Sequence, residues 1–325
     1  MGDPCGIAPE ITYKAWKALN NQKEYCFAVI AQPEVFDYCY TEVKLITKPF
    51  EAHNVFHNSL PIIPIDGKIS QKGLPNSIHS SSIIRSIKLG VDICTKGKAD
   101  GLVTNPISKE VLYKSGFNFP GHTEFLGELT KELHMPYSRG PVMMLSGGGL
   151  KIALITVHVP LREAALLITK KDIIKKARVI NEALINDFGI KYPRIALAGL
   201  NPHAGENGQL GQEEINIINP AAKILRTEGI NISDALPADT LFHEESRSMY
   251  DAAIAMYHDQ GLIPVKTLDF HGGVNITLGL PIIRTSPDHG TAFNIAGKNI
   301  ARPDSLIAAI KAARMISDNR ALNNA

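Results

Sequence analysis

Short apolar or β-branched runs alternate with longer amphipathic runs along most of the chain, and this alternation restricts the fold more than any other feature. The first apolar run, residues 26–31 ("CFAVIA"), follows an amphipathic stretch at residues 9–19. Strands that alternate with helices favour an α/β fold with mostly parallel sheets. The other runs that predict strands are residues 61–65, 101–104, 142–145, 152–157, 195–200, 252–257 and 275–278.

Helical periodicity predicts the layers that cover these strands. Residues 172–187 and 81–95 each carry apolar side chains at helical spacing, and a third helix is expected after Pro303, which suits a first helical turn. The side chains expected to face a core are Ile173, Ala177, Ile180 and Leu184, then Ile84, Ile87 and Val91, then Leu306, Ile310 and Met315.

The chain shows no internal repeat and no flexible linker. If it forms two lobes, we therefore expect them to share one continuous sheet, or the chain to cross from one to the other more than once. Residues 143–157, "MMLSGGGLKIALITV", predict a strand, a glycine-rich turn and a strand. Such a hairpin often extends a sheet edge, so it is a candidate subunit contact, with a simple surface hairpin as the equal alternative.

Charge and composition exclude several classes of partner. The 325 residues include 34 basic and 32 acidic ones, a net charge of +2, which gives no electrostatic case for nucleic acid or a membrane surface. No apolar run approaches the roughly 18 residues of a membrane span, and no signal pattern opens the chain. We expect a cytoplasmic protein whose four cysteines, without CxxC spacing, are reduced.

Three histidines follow predicted strands. His158 ends "KIALITVH", His203 lies in "LNPHAGENG", and His258 follows "DAAIAMY". Open α/β sheets bind ligands at the carboxyl ends of their strands, and neutral imidazole is the commonest side-chain ligand of zinc and similar ions. We therefore predict a three-histidine metal site. The alternative is that each histidine is only hydrogen-bonded at a strand end.

The stretch "GHTEF" places His122 and Thr123 at a predicted helix start. Backbone N–H groups at such a position favour an anion, so the two residues are candidates for substrate binding. Plain helix capping is an equally good interpretation.

Lys266, Asn275 and Arg284 stand at nine-residue intervals within or beside apolar or glycine-rich runs. We interpret the lysine and the arginine as flanked by buried strand residues. Because an unpaired buried cation is costly, a phosphate or carboxylate ligand would satisfy both. The alternative is an internal partner such as Asp239 or Asp269.

Glycine-rich stretches give weaker signals. No GxGxxG fingerprint occurs, and "GENGQLGQEE" is interpreted as turn structure that positions His203. The loops "GDPCGIAPE" and "SPDHGTAFNIAGK" each precede a predicted helix, and the backbone amides of the first are candidates for anion binding.

Together these segments resemble the 4-hydroxythreonine-4-phosphate dehydrogenase family, the NAD-dependent enzymes of pyridoxal 5'-phosphate biosynthesis. The stretches that carry the resemblance are "GDPCGIAPE", "GHTEF", "HVPL", "GLNPHAGENG", "PADTLF", "MYHDQGLIPVK" and "GVNITLGLPIIRTSPDHGTA". They cover nearly the whole chain. More distantly, "GDPCGIAPE" and "DHGTAFNIAGKNIARP" are similar to segments of isopropylmalate and isocitrate dehydrogenases.

The resemblance implies a two-lobed α/β/α fold with mostly parallel sheets. It implies a first lobe of residues 1–121 with 285–325, a second lobe of residues 122–284 that includes the dimer contact, and an active site in the cleft. It also implies a homodimer in which His158 and His203 of one subunit and His258 of the other hold a divalent ion, zinc, cobalt or magnesium.

Further residues take roles from the same resemblance. His122, Thr123, Lys266, Asn275 and Arg284 match substrate contacts, and Asp239 of "PADTLF" matches a position close to the metal. The cofactor is NAD or NADP, and the residues expected to contact it are His289, Gly290, Thr291, Ala292 and Asn294.

The implied reaction oxidises 4-phosphooxy-L-threonine at C3 to 2-amino-3-oxo-4-phosphooxybutanoate, which decarboxylates to 3-amino-2-oxopropyl phosphate. Asp239, Asp259, Lys266 and a metal-bound water are all candidates for the general base. The alternative substrates are 4-phospho-D-erythronate and 4-phospho-D-threonate. A metal-dependent phosphohydrolase is a more distant alternative, against which the NAD-like loop argues.

The sequence departs from the family pattern in two places. Members usually carry a β-strand before the GDP loop, whereas this sequence begins at Met1, so we expect Met1 to be an internal methionine of a longer natural product. Ala8 also replaces a common glycine, a change that matters only if the backbone there needs a positive φ.

Overall fold

The apolar runs of the sequence form short strands in the part of the chain that the computed structural model describes, residues 1–39 and 42–323. Every predicted strand overlaps an observed one, and β2, β8 and β11 were not predicted. The strands are β1 (Val29–Ala31), β2 (Val43–Leu45), β3 (Leu60–Pro64), β4 (Gly101–Val103), β5 (Val142–Gly147), β6 (Leu150–Leu154), β7 (Ile195–Ala198), β8 (Ile232–Leu236), β9 (Ala252–Ala255), β10 (Val274–Leu278) and β11 (Ile283–Pro287).

Helices alternate with these strands, which confirms the α/β class. The α-helices are α1 (Ala8–Leu19), α2 (Ala52–Val55), α3 (Ser80–Thr95), α4 (Lys109–Tyr113), α5 (His122–Leu129), α6 (Leu161–Leu167), α7 (Lys170–Asn186), α8 (Asn219–Thr227), α9 (Ala238–Leu241), α10 (Glu244–Arg247), α11 (His258–Leu268) and α12 (Asp304–Asn323). Short 3₁₀ turns and one π-helical segment, Glu214–Ile218, complete the backbone.

The described chain divides into two units. The first comprises Met1–Glu132 and Pro281–Arg314, and the second comprises Leu133–Leu280 with the residues from Met315 onward. The chain therefore passes from one unit to the other more than once, as expected. Residues 122–132 and 281–284, which the resemblance assigns to the second lobe, lie in the first unit, and the residues from Met315 onward, which it assigns to the first lobe, lie in the second unit.

The first unit contains two groups of parallel strands. β3 lies between β1 and β2 in a three-stranded parallel sheet, and β4 pairs in parallel with β11. Trp16 of α1 packs with the apolar side chains of β1 and β3, and its indole N–H donates to the carbonyl of Phe56 at 2.7 Å. This packing fixes α1, and therefore the GDP loop that precedes it.

The second unit contains six strands in the order β10, β5, β6, β9, β7, β8. β5 is antiparallel to both β10 and β6, whereas β6, β9, β7 and β8 run parallel to their neighbours. The predicted hairpin is present as β5 and β6. It does not extend a sheet edge, however, because each of its strands also pairs with another strand on its outer side.

Buried faces follow the predicted periodicity with two corrections. Ile173, Ala177, Ile180 and Leu184 of α7 are all buried. In α3 the buried isoleucine is Ile83, one position before the predicted Ile84, and in α12 Met315 is exposed while its neighbour Ile316 is buried. All four cysteines are free thiols, and no helix within residues 1–39 and 42–323 is long and apolar enough to cross a membrane.

Candidate metal and anion sites

The three strand-end histidines follow neighbouring strands of the second unit. β9 lies between β6 and β7, and all three strands run parallel. His158 follows β6, His203 follows β7, and His258 opens α11 directly after β9. Because the carboxyl ends of parallel strands meet at one sheet edge, the fold gathers these segments at the edge where ligands bind.

His158 and His258 lie side by side. Their ring centroids are 5.5 Å apart and the ring planes are inclined by 44°. Two imidazoles bound to one tetrahedral ion at about 2.0–2.1 Å have centroids on the order of 5 Å apart. The pair therefore has a separation that a shared divalent ion requires.

A carboxylate orients His258. The Nδ1 atom of His258 lies 2.7 Å from Oδ1 of Asp259, which is 72% exposed at its side chain. Hydrogen bonding through Nδ1 leaves Nε2 available as a ligand atom, the arrangement common at metal-binding histidines. This contact also makes Asp259 a poor general base, because its oxygen already accepts from the imidazole.

Gln260 connects the His258 and His203 segments. Its side chain is buried, its Oε1 accepts from the amide of Met256 at 2.7 Å, and its Nε2 donates to the carbonyl of Gly199 at 2.6 Å. Both ends of the amide are therefore satisfied between the ends of β9 and β7. A polar side chain between two apolar runs of the sequence must find a partner, and Gln260 has two.

His203 occupies an unusual backbone conformation. Five successive residues, His203 to Asn207, have positive φ, with His203 at φ 51° and ψ 30°. A left-handed conformation costs about 1–2 kcal/mol for each residue other than glycine. Strain of this size persists only where surrounding contacts determine it, and it concentrates at functional sites.

His203 does not complete a metal centre with the other two histidines of its own chain. Among residues 1–39 and 42–323, no group of three His, Cys, Asp or Glu side chains is arranged to hold an ion.

Asp239 lies near the His203 segment. It is exposed on α9, which packs against the turn Pro202–Gly208 that carries His203. No hydrogen bond or ion pair occupies its carboxylate within the described part of the chain.

Lys266 and Asn275 occupy different settings in the second unit. Lys266 lies on α11 and not in a strand, so the interpretation of it as a cation between buried strand residues was wrong; its Nζ is 5.6 Å from the ring centroid of Phe270. Asn275 is on β10, and its Oδ1 is buried without a hydrogen-bond partner among the described residues.

Arg284 fits the expectation of a buried cation. It lies on β11 of the first unit with only 3% of its surface exposed, and its Nη2 and Nε donate to the hydroxyl of Thr104 at 2.8 and 3.2 Å. Burial lowers the pKa of its guanidinium to about 10, while the nearby charge of Glu124 opposes the shift. Arg284 therefore remains a cation at neutral pH.

His122 is the first residue of α5, directly after Gly121. Burial, the charge of Arg284 and that of Lys109 hold its pKa well below the usual value, so its imidazole is neutral at pH 7. Neither it nor Thr123 caps the helix, since no side chain forms a capping hydrogen bond at Gly121. Of the two interpretations of "GHTEF", helix capping by a side chain is therefore wrong.

Lys109 adds a second cation close to His122, and the sequence analysis missed it. A Cβ built on Gly121 would lie 3.8 Å from its Nζ. A neutral imidazole beside two cations is suited to a doubly charged anion, because it can donate without adding charge repulsion.

The loop with the predicted cofactor residues is anchored within the first unit. The carbonyl of Thr291 accepts from the amide of Ile7 at 3.0 Å, and the amide of Asp288 donates to the hydroxyl of Ser305 at 3.1 Å. Ala292 has a left-handed backbone, and a Cβ added at Gly290 would meet no atom within 4 Å. His289, Gly290 and Asn294 thus lie on a fixed loop with open space beside it.

Three amides of the GDP loop close the loop itself. The amide of Cys5 donates to Oδ1 of Asp3, that of Gly6 to the carbonyl of Asp3, and that of Ile7 to the carbonyl of Thr291. These three amides are therefore not available to an anion. Ala8 begins α1 and needs no positive φ.

Comparison with known proteins gives one consistent family. The family described as pyridoxal phosphate biosynthetic protein PdxA matches residues 22–313. Two relatives named 4-hydroxythreonine-4-phosphate dehydrogenase are 53% identical (Caulobacter vibrioides, 98% of this chain and 96% of the relative) and 50% identical (Maricaulis maris, 99% and 97%).

Solved structures agree with the sequence relatives. A 4-hydroxythreonine-4-phosphate dehydrogenase from Klebsiella pneumoniae matches with a TM-score of 0.84 and 35% identity, over 98% of this chain and 96% of that one. A terephthalate 1,2-cis-dihydrodiol dehydrogenase from Burkholderia xenovorans LB400 matches with a TM-score of 0.62 and 26% identity, over 97% and 96%.

Proposed function

The chain belongs to the pyridoxal phosphate biosynthetic protein PdxA family and is an oxidoreductase, and from this premise we propose its reaction in detail. The enzyme oxidises 4-phosphooxy-L-threonine at C3 with NAD or NADP, in a divalent-metal-dependent step of pyridoxal 5'-phosphate biosynthesis. The observation that carries the proposal is the pairing of His158 with His258 at 5.5 Å, beside a carboxylate that orients His258.

His158, His203 and His258, contributed by the two subunits of a cytoplasmic homodimer, would hold one divalent ion, zinc, cobalt or magnesium. Two observations support a site shared between subunits: the His158 and His258 imidazoles are adjacent, and no described residue of the same chain completes a three-ligand group with them. When bound, the ion supplies electrostatic stabilisation of the substrate hydroxyl as it loses its proton.

Asp239 takes the proton from the C3 hydroxyl. Among the candidate carboxylates, that of Asp259 is hydrogen-bonded to His258, whereas that of Asp239 is exposed and unoccupied within the described residues. When bound at its loop, NAD or NADP would accept the hydride that leaves C3. The resulting 2-amino-3-oxo-4-phosphooxybutanoate then loses CO2 to give 3-amino-2-oxopropyl phosphate.

We assign the binding of the substrate to Arg284, His122, Thr123, Lys266 and Asn275. Arg284 supplies a fixed cation, and His122 is held neutral so that it serves as a hydrogen-bond donor. Asn275 has a buried oxygen that accepts from a substrate donor, such as the amine. Lys266 lies two helical turns beyond His258, about 12 Å along α11, a spacing suited to the distal end of an extended four-carbon substrate.

The dinucleotide contacts the loop of His289, Gly290, Thr291, Ala292 and Asn294. Hydrogen bonds from Ile7 and to Ser305 hold this loop before any ligand binds, and the space beside Gly290 accommodates a flat group. A fixed loop lowers the ordering entropy that binding would otherwise cost.

The test follows NADH formation with three substrates, 4-phosphooxy-L-threonine, 4-phospho-D-erythronate and 4-phospho-D-threonate, before and after chelation of the metal. We expect reduction with the first, loss of activity on chelation, and recovery with added Co²⁺ or Zn²⁺. Faster turnover of either phosphorylated sugar acid would replace the proposed substrate. Phosphate release without any reduction would instead identify a metal-dependent phosphohydrolase.

A further inference from the structure

Glu214 is a buried carboxylate next to the turn that carries His203. Only 2% of its surface is exposed, and it opens the π-helical segment Glu214–Ile218. A buried carboxylate needs hydrogen bonds to both oxygens, and a π-helical turn inside a longer helix often marks a functional position. These two features raise the question of what Glu214 holds.

The carboxylate of Glu214 binds the backbone that leads into the His203 turn. Its Oε1 accepts from the amides of Leu200 and Asn201, both at 2.8 Å, and its Oε2 accepts from the side-chain amide of Asn201 at 2.9 Å. Three donors therefore converge on one side chain. The two backbone donors immediately precede Pro202 and His203, where the left-handed conformation begins.

The turn is shaped to admit this carboxylate. A Cβ built on Gly205, at φ +82°, would lie 2.7 Å from Oε2 of Glu214, closer than real Cβ atoms approach. Gly199 is similarly close, since its Cβ would lie 3.2 Å from Oε1. The glycines on both sides of His203 thus leave room for Glu214, and the turn and the carboxylate form one packed unit.

We propose that Glu214 is a positioning residue that fixes the left-handed turn of His203 and so presents its imidazole to the metal ion. The inference rests on the proposed function in one respect, the assignment of His203 as a ligand. Glu214 itself touches neither substrate nor ion. Its effect is transmitted through Leu200 and Asn201 to the backbone of the ligand.

Glu213 provides a matched control. It is the neighbouring glutamate and accepts from the same Asn201 side chain at 2.7 Å, but it receives no backbone amide of Leu200 or Asn201. The variants to compare are Glu214→Ala, Glu214→Gln and Glu213→Ala. The glutamine variant keeps one oxygen for the two backbone amides and places an amide group against the amide of Asn201, so its effect is expected to be the smaller of the two.

The experiment measures Co²⁺ affinity by titration of the purified protein and hydrogen exchange at the amides of Leu200 and Asn201. We expect Glu214→Ala to weaken Co²⁺ binding by about 10- to 100-fold, as for other residues that orient metal ligands. Exchange at the two amides should accelerate while the global unfolding midpoint changes less. For Glu213→Ala we expect a change in affinity of less than about threefold.

Two outcomes would overturn the inference. One is wild-type Co²⁺ affinity in both Glu214 variants, and the other is unchanged exchange at Leu200 and Asn201. If Glu214→Ala does not fold, Glu214→Gln carries the test. Hydrogen exchange in the metal-free protein reports only on the turn. The assignment of His203 as a metal ligand is tested separately, and it fails if His203→Ala does not change metal binding.

Discussion

The segments that carry the strand-end histidines in the second unit differ from the first unit in how they treat buried polar groups. In these segments, both ends of Gln260 and both oxygens of Glu214 are hydrogen-bonded, and His158 and His203 are exposed. In the first unit, Oδ2 of Asp3 and Oδ1 of Asn105 are buried without a hydrogen-bond partner among the described residues. The segments around the histidines thus have satisfied hydrogen bonds, whereas the first unit keeps two unsatisfied acceptor oxygens and the buried cation of Arg284.

The difference follows from what each ligand supplies. A metal ion contributes its own charge and fixes neutral imidazoles, so the protein needs only to orient them. A substrate anion must be attracted and desolvated, so the protein holds a permanent cation such as Arg284 in a dry setting. We therefore expect ligand removal in the second unit to abolish activity, and changes in the first unit to act on substrate binding and on stability.

The strongest test of the satisfied region is His258→Ala. This substitution removes a proposed metal ligand. Loss of a residue that only orients a ligand lowers metal affinity by about 10- to 100-fold, and we expect a larger loss here. Metal content after gel filtration and the rate of NADH formation check this. His243→Ala is the control, because that histidine is exposed and contacts Ser246 instead. If His258→Ala still binds the ion, His258 is not a metal ligand.

Arg284→Lys tests the cationic region. Lysine keeps the charge but loses the planar fork that reaches Thr104 at two nitrogens, so a charge-assisted hydrogen bond worth about 1.5–3 kcal/mol is lost. We expect KM for the phosphorylated substrate to rise by about 10- to 100-fold with a smaller change in kcat.

Arg302→Lys is the matched control for this change. Arg302 is an exposed arginine of the same unit that pairs with Asp304 at 3.0 Å, and its replacement should leave KM unchanged. If KM were equally insensitive in both variants, Arg284 would have only a structural role.

Asp259→Asn tests how much the carboxylate that orients His258 contributes to metal binding. The asparagine can still accept from Nδ1 of His258, but without a charge to strengthen the hydrogen bond. Because Asp259 is 72% exposed, solvent screens its charge, and we expect about a tenfold loss of metal affinity, at the low end of the range for orienting partners. A total loss of activity would instead make Asp259 the general base.

The positions of the three histidines at strand ends could be predicted from the sequence. The strand and helix periodicities, with the rule that parallel strands end at one sheet edge, were enough for this. Apolar runs located β6, β7 and β9, and parallel strands place their carboxyl ends at one edge. The sequence could not predict that His158 and His258 would be adjacent in one chain. Their adjacency requires β9 to pair with β6, and strand order depends on pairings distant in sequence.

The least predictable features depend on tertiary contacts of single side chains. Nothing in "GQEE" distinguishes Glu214, which is buried, from Glu213, which is partly exposed. Lys266 was misplaced because an apolar run containing Pro264 formed helix α11 and not a strand, and periodicity cannot separate short buried helices from strands. β11 was missed because Arg284 and Pro287 interrupt its apolar pattern, although the buried arginine itself was expected.

Asp3→Asn gives the smallest expected effect. It tests whether the buried, incompletely hydrogen-bonded carboxyl of Asp3 destabilises the folded protein. Burial raises the pKa of Asp3 from 3.8 to about 6, while a hydrogen bond from the amide of Cys5 opposes the shift. Between those two pH values the folded state binds a proton that the unfolded state does not. The stabilisation from protonated Asp3 is therefore complete below pH 3.8 and is lost as pH rises through about 6.

At pH 7 the wild-type protein must ionise this buried carboxyl, at a cost of up to about 3 kcal/mol. Asparagine keeps the oxygen that accepts from Cys5 and carries no charge, but its NH2 group needs a partner, which reduces the gain to about 1–2 kcal/mol. Urea unfolding at pH 4 and pH 7 should therefore show stabilisation only at the higher pH, and none for Asp37→Asn, whose side chain is exposed. Equal stability of wild type and Asp3→Asn at both pH values would mean that a ligand or water already forms a hydrogen bond with Asp3. The buried polar groups of both regions would then be satisfied, and the contrast between the regions would fail.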